Sequence, residues 1–66
     1  MSQDHTVFWP KTGQLRRWQA SERVFHIIEA RENHMHTIQY ADGKTHVYSD
    51  FMLAYDSIVV SDVESP

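Results

Sequence analysis

The stretch from Met35 to Ser49 constrains this chain most, because an Asp42-Gly43 pair sits between two runs rich in β-branched and aromatic residues. Gly accepts positive φ at no steric cost and Asp tolerates it better than most residues, so the pair predicts a two-residue hairpin turn closed by Ala41 and Lys44. Pairing outward from that turn sets Tyr40 opposite Thr45, Gln39 opposite His46, Ile38 opposite Val47 and Thr37 opposite Tyr48. The two-residue period of a strand then divides the ribbon into an apolar face (Ile38, Tyr40, Thr45, Val47) and a polar one (Thr37, Gln39, His46, Tyr48).

The chain before the hairpin admits two readings. Leu15, Trp18, Phe25 and Ile28 recur at helical spacing, which supports an α+β alternative with a helix at about 14–31 packed on the hairpin. Against it, Val24-Phe25-His26-Ile27-Ile28 is β-branched and aromatic, the composition of a strand. Register favours the strand. With Glu32-Asn33 as a turn, Arg31 pairs with His34, and Phe25 and Ile27 fall opposite Tyr40 and Ile38 on the apolar face. The result is a three-stranded meander at about 23–49 with Phe25, Ile27, Ile38, Tyr40 and Val47 as its core face.

Further strands and one helical turn complete the expectation. His5 to Trp9 reads as a first strand stopped by Pro10 and Thr12-Gly13, followed by a long polar loop. Ser49 is placed to cap a helical turn at about 50–55, with Asp50 favourable at its positive end, and 57–61, centred on Ile58-Val59-Val60, reads as a last strand. The 66 residues make one domain, 1–62, with 63–66 as a frayed tail.

In this order of elements the chain resembles SH3-like small β-barrels of Tudor or KOW-type architecture. Ile-Gln-Tyr-Ala-Asp-Gly (Ile38 to Gly43) looks like the Tudor-type strand and turn, and Phe51 to Ile58 looks like the short helical turn before the last strand. The resemblance implies a mostly β barrel that binds peptides, nucleic acid or protein surfaces through its loops and one open face. A methyl-lysine cage needs several converging aromatics. In the register above Tyr40 and Phe25 point inward and only Tyr48 points out, so a cage would need Trp9, Trp18 or Phe51 from loops.

Charge and composition narrow the function classes. The net charge of −3 is unevenly spread: residues 1–31 hold five Lys and Arg against three Asp and Glu, whereas residues 32–66 hold Lys44 alone against six acidic residues. Arg16-Arg17-Trp18, near Lys11 and Arg23, combines basic charge with an aromatic ring. That pairing serves phosphate contact and base stacking, protein hot spots, or closure of one barrel end by Trp18 with its indole N–H in water. The acidic half disfavours phosphate.

The outward row His26, Gln39 and His46, bordered by Tyr48, forms a second candidate partner surface. His34-x-His36, with Glu29 opposite His36, is the one metal arrangement the spacing offers. With no cysteine it falls short of a zinc set, and no metal or other cofactor is expected. No phosphate loop, nucleophile elbow or catalytic constellation is present, so an enzyme is not expected.

The absence of cysteine fits a reducing cytoplasm. No apolar run approaches a membrane span and residues 1–5 lack the features of a signal peptide, so no membrane partner is expected. Size and economy suggest a compact bacterial or phage accessory or regulatory protein. The sequence therefore points to a non-catalytic protein-interaction module, as a monomer or homo-oligomer, with partner-binding candidates Arg16, Arg17, Trp18, His26, Gln39, His46 and Tyr48. The alternative is a nucleic-acid-binding regulator using the basic, Trp-containing loop.

Overall fold

The structure, a computed structural model, describes residues 9–63. Its elements are β1 (Leu15–Trp18), β2 (Val24–Arg31), β3 (Met35–Tyr40), β4 (Thr45–Ser49), a single helix α1 (Asp50–Asp56) and β5 (Ser57–Ser61). All strand pairs are antiparallel, in one sheet of order β4-β3-β2-β1-β5. Mostly β is therefore the fold class, and the helix alternative at 14–31 is replaced by two extended strands. The sheet stays open, with β4 and β5 at opposite ends of the order. The first strand expected at 5–9 falls almost wholly outside the described residues, as do 64–66 of the tail.

The meander forms, but by a different route at each turn. Between β2 and β3 the loop is Glu32-Asn33-His34, one residue longer than expected, with Asn33 and His34 both at positive φ. Arg31 thus pairs with Met35 and Ala30 with His36, not Arg31 with His34 or Glu29 with His36. An irregularity at Ile28 absorbs the extra residue, so Phe25 still faces Tyr40 and Ile27 still faces Ile38, as the apolar pattern requires.

The β3–β4 turn is also one residue longer, and nothing absorbs it. Gly43 N–H donates to Tyr40 O and Tyr40 N–H to Lys44 O, each at 2.9 Å, which closes a three-residue loop of Ala41, Asp42 and Gly43. Gly43 takes φ of 91°, a left-handed value suited to the last loop position of such a turn. The register becomes Gln39 to Thr45, Ile38 to His46, Thr37 to Val47 and His36 to Tyr48. A slip of one residue turns a strand over. Val47 accordingly leaves the core for solvent, while Tyr48 packs against the core cluster.

The segment expected as a polar loop holds β1, a four-residue strand whose even positions point inward. Trp18 joins Phe25, Ile27, Ile38, Tyr40 and Leu53 in the core. The other inward residue is Arg16, only 1% exposed. Ser49 caps α1 as expected, its hydroxyl accepting from Met52 N–H at 3.2 Å. The helix lays Leu53 and Ala54 against the inner face and carries the chain from one sheet edge to the other. Among the described residues no helix is long and apolar enough to cross a membrane.

Candidate functional site

Because β4 is turned over, Tyr48 and His46 stand on the same face as Tyr40 and Trp18. Four of these rings form a continuous cluster with Phe25. Trp18 lies 4.7 Å from Phe25 and 5.0 Å from Tyr48 between ring centroids, and His46 sits 5.5 Å from Tyr40 and 6.2 Å from Tyr48. The Trp18 indole N–H donates to the Tyr40 hydroxyl at 2.7 Å, so it is satisfied inside the protein and does not face water as expected for a barrel-end tryptophan.

Three rings of this cluster form the floor of a partly open groove of about 750 Å³. Trp18, Tyr40 and Tyr48 line it from the sheet, Met52 and Asp56 from α1, and Arg23 from the β1–β2 turn. The Arg23 guanidinium carbon stands 3.8 Å above the centroid of the Tyr40 ring, and one of its nitrogens lies 3.8 Å from the Asp42 carboxylate. Both partners of that ion pair are about half exposed, so it is weak. Burial first and the Tyr40 hydroxyl second raise the pKa of the Tyr48 phenol, with Arg23 pulling it the other way. The Tyr48 hydroxyl is therefore a neutral donor and acceptor at physiological pH.

No protein-family model, curated protein or solved structure gives a significant match to the chain. The site is accordingly read from its own chemistry.

The seven candidate partner residues do not form one surface. Arg16 is withdrawn altogether. Its guanidinium donates to Ser57 Oγ (2.8 Å), Gln14 Oε1 (2.8 Å), Leu53 O (2.9 Å) and Ser57 O (3.2 Å), which ties β1 to the end of α1 and the start of β5. Gln14, fully buried, extends this network by donating to Asp62 Oδ1 at 2.9 Å. Burial lowers the Arg16 pKa and Asp62 partly offsets that.

Arg17 is exposed on the opposite face of β1, beside Val24 and Ile58. His26 and Gln39 are cross-strand neighbours on that outer face, as expected. Gln39's other neighbour is Thr45, however, so the row His26-Gln39-His46 does not form. His46, Tyr48 and Trp18 belong to the groove side.

Two other clusters are noteworthy. Asp50, buried in the first turn of α1, accepts from His36 Nε2 through one carboxylate oxygen, and its other oxygen lies 3.4 Å from His34 Nδ1. Glu29 faces Thr37 instead of His36, and among the described residues no group of three or more His, Cys, Asp or Glu is arranged to hold a metal. Across α1, Phe51 stacks on Tyr55 (6.3 Å, 7°) and meets Trp9 edge-on at 5.4 Å.

Sequence reasoning missed Tyr40, Met52 and Asp56 as site residues and placed Arg23 only in the basic stretch of the nucleic-acid alternative. The signal that could have found Tyr40 is the three-residue reading of Ala41-Asp42-Gly43, which places Tyr48 on the same face as Tyr40, whereas nothing in the sequence marks Met52 and Asp56.

Proposed function

We propose that this chain is a non-catalytic protein-interaction module and that the groove floored by Trp18, Tyr40 and Tyr48 receives its partner. The observation that carries this reading is the composition of the groove. Aromatic rings and a methionine form an apolar floor, while Asp56, Arg23 and the serine and glutamine of the β1–β2 turn form a polar rim. Interface cores are enriched in Tyr, Trp, Met and Arg and poor in Lys, Glu and Ser, with polar groups at the rim. Met adds a side chain that adapts to different partner shapes. The inward placement of Arg16 supports a protein over a nucleic acid, because it removes one of the two adjacent arginines from any surface that could track phosphates.

The test is affinity capture from lysate of the source cell, with and without nuclease, using wild type, Met52→Glu in the groove and Arg17→Ala on the outer face. Met52 is 42% exposed, so the acidic variant is expected to fold. A specific protein retained by wild type and by Arg17→Ala, resistant to nuclease and lost with Met52→Glu, is the expected result. Equal retention by Met52→Glu refutes the groove, and loss on nuclease treatment points instead to nucleic acid.

A further inference from the structure

The groove already holds a cation. Arg23, from the β1–β2 turn, brings its guanidinium carbon to 3.8 Å from the Tyr40 ring centroid, and Tyr40 is left 8% exposed beneath it. A cation over an aromatic face is attracted by the ring quadrupole, and the attraction grows as water is removed. Yet Arg23 is held loosely. Its side chain is 55% exposed and its ion pair with Asp42 is long and half in water. Its backbone is fixed, with Arg23 O accepting from Trp18 N–H at 2.9 Å, so the exposed guanidinium leaves the ring by side-chain rotation alone. Two acids, Asp42 at 3.8 Å from the guanidinium and Asp56 on the helical wall of the groove, would complement a cation in this place whether it came from Arg23 or from another chain.

We infer that Arg23 is a resident stand-in for an arginine side chain of the partner protein. On docking, the incoming guanidinium displaces Arg23, stacks on Tyr40 above the floor that Tyr40 shares with Trp18 and Tyr48, and takes Asp42 or Asp56 as its counter-charge. This inference rests on the reading of the groove as the docking site and adds the partner's chemistry to it. It also gives Arg23 a role. A resident occupant competes with every incoming cation at high effective concentration, so a lone arginine displaces it only weakly and a partner that adds contacts along Met52 and the rim displaces it fully. The acidic surplus from residue 32 onward draws basic segments toward the molecule, and Arg23 raises the threshold for accepting them.

The test uses three peptides, Gly-Ser-Gly-Xaa-Gly-Ser-Gly, with arginine, lysine or norleucine at the central position. Each is titrated into the full chain while the side-chain NMR signals of Trp18, Tyr40 and Tyr48 are followed. The expected result is a shift of these ring signals with the arginine peptide, a smaller one with lysine and none with norleucine. Arg23→Gln should tighten arginine-peptide binding roughly three- to tenfold, since it removes an exposed cation–π contact and a surface ion pair that compete. Tyr48→Leu, with its fold verified by circular dichroism, should weaken it.

Norleucine binding as well as arginine would overturn the inference, as would weaker arginine-peptide binding by Arg23→Gln or silent ring signals in that variant. If capture of the protein partner still depends on Met52 in those cases, the groove survives as the docking site and only the assignment of its ligand fails. If capture is independent of Met52, both fail.

Discussion

Replacing Arg16 by methionine tests the most consequential difference between the surface expected for this chain and the one it has. Methionine fills a similar volume without the guanidinium. In the fold that guanidinium is 1% exposed and bonded to Ser57 Oγ, Gln14 Oε1 and the carbonyls of Leu53 and Ser57. Some acceptors keep another donor: Leu53 O retains the Ser57 hydroxyl and Gln14 Oε1 retains Lys11 N–H. The damage is therefore less than the loss of every bond, and lies in the range of breaking one charged, hydrogen-bonded buried group, about 3 kcal/mol. A chain of this size has roughly 3–10 kcal/mol in total.

In urea the midpoint should fall by about 3 M, taking a slope of about 1 kcal/mol/M for so short a chain. Lysine at the same position should fall between the two, since one ammonium cannot fork to Ser57, Gln14 and Leu53 together. A methionine variant within about 0.5 kcal/mol of wild type, the tolerance of an ordinary surface site, would refute the reasoning and return Arg16 to the surface.

Three further outcomes are expected. Ile38→Ala, at a fully buried central position, should cost about 2–5 kcal/mol in chemical denaturation, and Gln39→Ala next to it well under 1 kcal/mol. Val47→Thr should leave stability within about 0.5 kcal/mol and Tyr48→Ala should lose about 2 kcal/mol; the reverse order would mean the two-residue turn is correct after all. The Asp62 carboxyl is held below the usual carboxylate range, first by the Gln14 amide and then by Val63 N–H. Its contribution is therefore complete above the ordinary carboxyl value and is lost as pH falls through the lowered one. Asp62→Asn should flatten that acid limb in a series of denaturation midpoints against pH.

The legible parts of this fold are those where local chemistry and apolar pattern agree. Phe25, Ile27, Ile38 and Tyr40 announce themselves as one face, and tertiary packing enforced that face even at the cost of a bulge at Ile28. Ser49 and Asp50 mark a helix start in the ordinary way, and the helix and last strand fall where they are expected.

β1 was hidden because half its inward positions are filled by Arg16, a residue whose charge argues for solvent unless its partners Gln14 and Ser57 are known in advance. Gln14 is two residues away but Ser57 is 41, and without Ser57 the network has no visible anchor. The groove was hidden by a single ambiguity. Asp-Gly serves both a two-residue turn and the end of a three-residue one, and Val47 and Tyr48 are each apolar enough to be placed inside.

That ambiguity gives the Ala41-Asp42-Gly43 loop an influence out of proportion to its exposure. The parity of its residue count decides which side chains of β4 join the aromatic floor. With the sequence unchanged, a turn of Asp42-Gly43 alone would pair Ala41 with Lys44, and β4 would offer Thr45 and Val47 where His46 and Tyr48 now stand. Deleting Ala41 instead leaves Tyr40 opposite Lys44 across a two-residue Asp-Gly turn, with His46 and Tyr48 in place. The groove's inventory depends on which residues the turn takes from the strands, not on how many the chain supplies between Tyr40 and Lys44. Natural variation in this chain should therefore disfavour β-branched residues at 41, which would draw that position into the ladder and turn β4 over.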